Sequence, residues 1–187
     1  MKERIMDAFI DEVRLHGMKF TMDDLSKKIG ISKRTLYEHF SSKVSILDTI
    51  IERSLEHMDQ KTMHIMQDDR LSLVEKIKAV MMVLPSHFEF YDLRNLEQMK
   101  RYYPEQWHKV DTALRAEWDQ LQLLIEQGIR EGEIVDVNVP LVIKLAIDAT
   151  NTILDQRFFA ENHITVDEAL TSIVDILMYG LIPEQKR

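Results

Sequence analysis

Apolar residues recur three and four positions apart along almost the whole chain, and no segment alternates apolar and polar as a half-buried strand would. Ile5, Met6, Phe9, Ile10 and Val13 form the first stripe, which predicts a helix closing near Gly17. Leu25 and Ile29 predict a short helix over Met22–Ile29, with Thr21 placed so that its hydroxyl accepts from the free amides of the first turn. Gly30 stands where a chain leaving a helix turns left-handed, a conformation that costs glycine little. Ser32 then caps a further helix, in which Leu36 and Phe40 share one face. From near Ser42 the positions Val44, Leu47, Ile50, Ile51, Leu55 and Met58 predict a long helix. A helix over 71–84 ends at Pro85, and a short aromatic segment, HFEFYDLRNL, follows it. Pro104 opens a long helix through Trp107, Val110, Leu114, Trp118, Leu121, Leu124 and Ile125, closing near residues 128–132. Asn138 as a cap and Pro140 in the first turn introduce a helix over 139–159, and one over 166–182 completes an all-α chain of about nine helices.

The pair of short helices around Gly30 carries the most specific chemistry. With Leu36 and Phe40 committed to packing, Lys33, Arg34, Thr35, Tyr37 and His39 point elsewhere. Lys33 and Arg34 lie in the first turn, the part of such a helix that meets base edges in a major groove, and an arginine pairs with two guanine acceptors at once. Two solvated surface cations are the bland alternative. Ser32 is a cap first and a phosphate contact second, roles that a helix N-terminus makes compatible. Tyr37 fits either a phosphate or the core, and His39 either a phosphate or plain surface.

Thr21, Asp24-Leu25, Gly30-Ile31-Ser32, Thr35-Leu36-Tyr37, His39-Phe40, Lys43 and Ile46-Leu47 together resemble the helix-turn-helix of the tetracycline-repressor (TetR) family of bacterial transcription regulators. Ser26 and Ile29 depart from it, each replacing a usual alanine. Ser26 is still small enough for close helix approach, whereas Ile29 implies bulkier packing. Beyond about residue 60 the likeness is to architecture alone. The resemblance implies phosphate contacts at Thr35, Tyr37, His39 and Lys43, and with Thr21, Met22, Ser32, Lys33 and Arg34 these make the expected DNA-binding set. It also implies a helix-turn-helix domain over 1–45 and a helical effector-binding and dimerisation domain over 46–187.

Charge fits this division only after it is resolved along the chain. The net charge is −8, which by itself argues against a nucleic-acid partner. Residues 1–50, however, hold nine Lys/Arg against eight Asp/Glu, so the balance there is +1 and the remaining 137 residues carry −9. Within 27–43 five basic residues face one acid, Glu38. Cysteine is absent, which removes disulfides, thiol nucleophiles and thiolate metal sites and suits a reducing cytoplasm. Acids interrupt the N-terminal stripe where a signal peptide needs an apolar run, and AVMMVL and LVIKLAI fall far short of the roughly 20 residues of a membrane span. A soluble, cytoplasmic protein without membrane contact is expected.

Enzyme chemistry finds no support. Glu105 and His108 give one Glu-x-x-His where a di-iron bundle needs two, and there is no His-Glu-x-x-His and no phosphate-binding glycine loop. His57 and His64, near Asp68 and Asp69, are a poor metal site, so no metal and no cofactor is expected.

The body offers Phe88, Phe90, Tyr91, Tyr102, Tyr103, Trp107 and Trp118, with Met81, Met82 and Met99 nearby in sequence. Such side chains suit either ordinary core or an adaptable pocket for an unknown small lipophilic effector. Glu89, Glu97 and Glu117 leave a cationic effector open. Asn151 and Asp155 interrupt an apolar helix on nearly one face, where they either bind the ligand or fix register. Twelve of the 21 residues in 139–159 and eleven of the 17 in 166–182 are hydrophobic, more than one buried face requires. Deep burial accounts for this, as does an isologous homodimer through these two helices, the reading the resemblance favours. The expected function is a ligand-responsive repressor of a near-palindromic double-stranded DNA operator. The alternative is an effector-independent architectural or partner-recruiting DNA-binding protein on the same fold.

Overall fold

The computed structural model describes residues 1–186, and the side chains of all of these except Glu89, Gln156 and Arg157, so the expectation on Glu89 lies outside the described side chains. Among the described residues there are ten α-helices, four short 3-10 turns and no strand. None of the helices is long and apolar enough to cross a membrane. The chain packs as two compact units, Met1–His57 with Pro85–Thr112 and Met58–Leu84 with Ala113–Arg187.

The first unit begins with α1 (Lys2–His16), whose buried Ile5, Met6, Phe9, Ile10 and Val13 are the predicted stripe. α2 (Met22–Ile29) starts with a reciprocal cap: Thr21 Oγ1 accepts from the Asp24 amide at 3.2 Å, and the Asp24 carboxylate accepts from the Thr21 amide at 2.9 Å. Gly30 has φ 68° and ψ 38°, the left-handed exit its position requires. α3 (Lys33–His39) is capped by Ser32, whose Oγ accepts from the Thr35 amide at 3.0 Å. Leu25, Ile29, Leu36 and Phe40 are buried, as are Ile46, Leu47, Ile50 and Ile51 of α4 (Lys43–Gln67). Phe9 and Phe20 meet edge to face, with centroids 5.1 Å apart. This unit is larger than the 1–45 segment, because the first part of α4 and residues 85–112 pack with it.

The aromatic segment after Pro85 holds a helix that its pattern hides. α5 (Leu73–Met81) ends before Pro85, a 3-10 turn follows over Phe88–Tyr91, and α6 (Leu93–Tyr102) is capped by Asp92, which accepts from the Asn95 amide at 2.6 Å. Leu96 and Met99 are the apolar residues α6 buries, and the fully buried Asn95 takes a place where a helical pattern expects a hydrophobe.

The second unit is built on α5, the later part of α7 (Pro104–Arg130), α8 (Val139–Asn151), α9 (Gln156–Asn162) and α10 (Val166–Leu181). Ile77, Met81, Leu121, Leu124, Ile125, Ile143, Ala146, Val174, Met178 and Leu181 form its core. At the end of α7 the Ile134 side chain occupies the space beside Gly128, where an added Cβ would lie 2.5 Å from Ile134 Cγ1. The run over 139–159 is divided: the Thr152 hydroxyl donates to the Ala149 carbonyl at 2.6 Å, and Asp155 caps α9 by accepting from the Phe158 amide at 3.2 Å. Short polar side chains that bond nearby backbone end one helix and begin another.

Candidate nucleic-acid interface

All nine residues of the expected DNA-binding set lie in α2, α3, their caps and the first turn of α4. Because Leu36 is buried, the remaining circumference of α3 faces out, and Lys33, Arg34 and Tyr37 are exposed. That settles Tyr37 against the core. Thr35 and His39 are half-buried, with the Thr35 hydroxyl hydrogen-bonded to Ser32 Oγ at 2.9 Å. Thr21 is exposed with its oxygen engaged in the cap, and Met22 is half-buried.

The basic patch differs from what the sequence suggests, because each of its five cations already has a partner. Asp23 bridges Lys33 at 2.9 Å and Lys27 at 3.0 Å, and these two ammonium groups hold its carboxyl below the ordinary range, Lys33 first. Lys28 pairs with Glu12 at 2.9 Å, and Arg34 Nε with Glu38 Oε1 at 3.1 Å. An exposed ion pair is in general worth about 0–1 kcal/mol, so exchanging the Asp23 carboxylate for a phosphate at Lys27 or Lys33 costs little.

Lys43, expected to reach a phosphate, is turned inward instead. Its ammonium donates to the carbonyls of Met18 and Phe20, both at 2.6 Å, and lies 3.8 Å from the centre of the Phe20 ring. Burial pushes the ammonium down to about 8, while the Asp24 carboxylate acts in the opposite sense. No spacing in the sequence announces this contact, since it joins residues more than 20 positions apart. Lys43→Met is therefore expected to lower the melting temperature, at about 1–3 kcal/mol for carbonyls left without their donor, and to leave the salt dependence of DNA binding unchanged. A lost phosphate contact would instead reduce the slope of log K against log salt by about 0.9, so paired melts and salt titrations distinguish the two roles.

The residues expected around an effector divide between the two units. Phe88, Tyr91, Tyr102, Tyr103 and Trp107 belong to the first, and Met81, Trp118, Asn151 and Asp155 to the second. Tyr102 is exposed beneath the Arg101 guanidinium, 5.4 Å from the ring centre, so it lines no interior. Asn151 and Asp155 are also exposed, and the Asp155 carboxylate caps a helix. Met81 is core, and Trp118 packs against that core. Trp107 is half-buried with the Lys100 ammonium 4.4 Å from its ring, and burial raises the Tyr103 phenol.

Tyr91 differs from these. It is 4% exposed, its hydroxyl has no hydrogen-bond partner, and burial pushes the phenol up to about 12. The Ser54 hydroxyl is near enough to oppose that shift slightly, but its proton goes to the Ser86 carbonyl at 2.7 Å and its approach to Tyr91 falls short of a hydrogen bond. Oδ1 of the buried Asn95 is unpartnered too, while its Nδ2 donates to the Phe90 carbonyl at 3.2 Å. Asn95 was missing from the sequence-derived set, and an amide in a polar helix gives no warning of burial. Among the described residues no group of three or more His, Cys, Asp or Glu is arranged to hold a metal ion.

Residues 5–50 match the family model described as bacterial regulatory proteins, tetR family. Over 186 residues, all of this chain and 98% of the relative, the sequence is 28% identical to the uncharacterised HTH-type transcriptional regulator YvaF of Bacillus subtilis. The fold is similar to that of the ketosteroid transcriptional regulator KstR2 of Mycobacterium tuberculosis, at a TM-score of 0.78 and 17% identity over 98% of this chain and 95% of the other. It is also similar to SmeT of Stenotrophomonas maltophilia in its triclosan complex, at a TM-score of 0.69 and 15% identity over 98% and 92%. Residues 5–50 therefore carry the DNA-binding helix-turn-helix of the tetR family of bacterial regulatory proteins, and the chain as a whole is similar to transcriptional regulators built on it.

Proposed function

We propose that this regulator is a cytoplasmic homodimeric repressor, released from a near-palindromic operator when a small lipophilic effector binds. Two chains joined through α8 and α10 would set two α3 helices into successive major grooves, about 34–36 Å apart. The dimer reading draws on apolar side chains that α8 and α10 leave in water: Leu141, Leu145, Ile176 at 73% exposure and Tyr179 at 66%. The effector reading is carried by one observation, the buried hydroxyl of Tyr91 without a hydrogen-bond partner. A buried hydroxyl without a partner costs about 1–3 kcal/mol, which a ligand oxygen or nitrogen recovers on binding. KstR2 is named for ketosteroids and SmeT was solved with triclosan, and oxygen-bearing lipophiles of that kind suit a neutral phenol.

Release has a path through the first unit. The Met18 amide donates to Gln98 Oε1 of α6 at 2.7 Å, the Arg94 guanidinium of α6 donates to the Arg14 carbonyl at 2.9 Å, and Lys43 of α4 holds the Met18 and Phe20 carbonyls. A shift of α6 or α4 is thereby felt next to the cap of α2. The ligand moves the equilibrium only by its differential affinity for the two arrangements, about 1–3 kcal/mol in typical allosteric systems.

The test heats the purified protein with ketosteroids, long-chain acyl compounds, triclosan and cationic lipophiles, and measures operator release by the same compounds. One neutral oxygen-bearing class is expected to raise the melting temperature and weaken DNA binding, with both effects reduced in Tyr91→Phe. Should no compound do either, the effector-independent reading replaces this one.

A further inference from the structure

We propose that Glu38 is a specificity-determining positioning residue, which holds Arg34 ready to read guanine; this rests on the assignment of α3 to the major groove. The contact runs from Arg34 Nε to Glu38 Oε1, one helical turn apart, at 3.1 Å. It uses the inner edge of the guanidinium and directs the outer edge, Nη1 with Nη2, into solvent, where the Arg34 side chain is 89% exposed. That outer edge is a flat two-donor fork of the kind that matches O6 and N7 of guanine.

The pair makes poor sense as a stabilising device. Arg34 occupies the first turn of α3, where the helix already carries partial positive charge, and Glu38 lies near its other, negative end. The opposite order of charges is the one that supports a helix, and both side chains here are exposed, Glu38 at 57%. A pattern that local folding preferences disfavour, on the outward face of the helix that reads DNA, points to binding.

Two physical effects follow. An unrestrained arginine loses rotamer freedom when it docks, whereas one already held at Nε loses less, so the gain from the correct base is larger. The carboxylate also repels phosphate, which lowers affinity for every duplex alike. At a guanine the fork recovers this loss; at any other base it does not. Glu38 therefore trades total affinity for discrimination at one position of each half-site. Asp23 is a natural contrast, because it places a carboxylate on the same surface but pairs with Lys33 and Lys27 instead of Arg34.

The experiment selects bound sites from random duplex DNA with the wild-type chain. It then measures affinity for the selected site and for single-base replacements with Glu38→Gln, Asp23→Asn, Arg34→Ala and the Glu38→Gln/Arg34→Ala double variant, after thermal melts establish that each is folded. The selected half-site is expected to contain a guanine whose preference Arg34→Ala abolishes. Glu38→Gln is expected to bind unrelated duplex more tightly, while its discrimination at that guanine falls by about tenfold. Asp23→Asn should strengthen binding to all sequences and leave discrimination intact, and adding Glu38→Gln to Arg34→Ala should leave discrimination where Arg34→Ala alone puts it. Equal gains of Glu38→Gln on guanine and replaced sites would reduce Glu38 to a charge and overturn the proposal, as would a selected site whose discrimination survives Arg34→Ala. A wild-type chain that prefers no sequence would overturn the DNA-reading assignment with it.

Discussion

Arg34→Ala is expected to weaken binding to the selected operator by about 1–3 kcal/mol and to relax preference at one base pair of each half-site. The expectation follows from position. α3 turns Leu36 into the core, which places Arg34 almost wholly in water at the start of the helix, where its present partner is the exposed carboxylate of Glu38. Glu38 engages only Nε, so the Nη1 and Nη2 edge meets a base without that pair being broken. The fold should not suffer, so melting curves of wild type and variant should coincide. A variant with unchanged affinity and unchanged preference would remove Arg34 from the DNA-reading set.

Ile176→Lys is expected to have the second large effect, on assembly. In the single chain Ile176 is 73% exposed, the most exposed of the large hydrophobic residues described, and it shares α10 with the exposed Tyr179. An isologous interface uses the same patch twice, so one substitution buries two ammonium groups without partners. Sedimentation at micromolar concentration should change from a dimer of two 22.1 kDa chains to the single 22.1 kDa species. Operator affinity should fall by orders of magnitude with it, since the second half-site would no longer be reached intramolecularly. A wild-type chain that sediments as a monomer would remove the dimer reading.

Much of the DNA-binding region was legible in the sequence because it is specified locally. Thr21 with Asp24, Gly30, and Ser32 with Thr35 act over one to three residues, and each forms the expected cap or turn. Features that depend on distant partners were not legible. Lys43 reads as a surface cation and is held by carbonyls at 18 and 20; Asn151 and Asp155 read as interruptions of one helix and stand at the junction of two. α6 was hidden because Asn95 fills a buried position and leaves too few apolar residues to show a stripe. The basic patch was visible as composition, but not the pairing of Asp23, Glu12 and Glu38 with its cations, which determines how each cation is presented to DNA.

The central claim, that α3 and its flanking caps grip duplex DNA as a sequence reader, is tested most directly by fluorescence anisotropy of the purified wild-type chain. The selected duplex and a scrambled one of the same length are titrated over a series of salt concentrations. Affinity that falls linearly with log salt for both, and is at least about 10³ tighter for the selected duplex, is the predicted result. Equal affinity for the two duplexes, or none for either at low ionic strength, would contradict it.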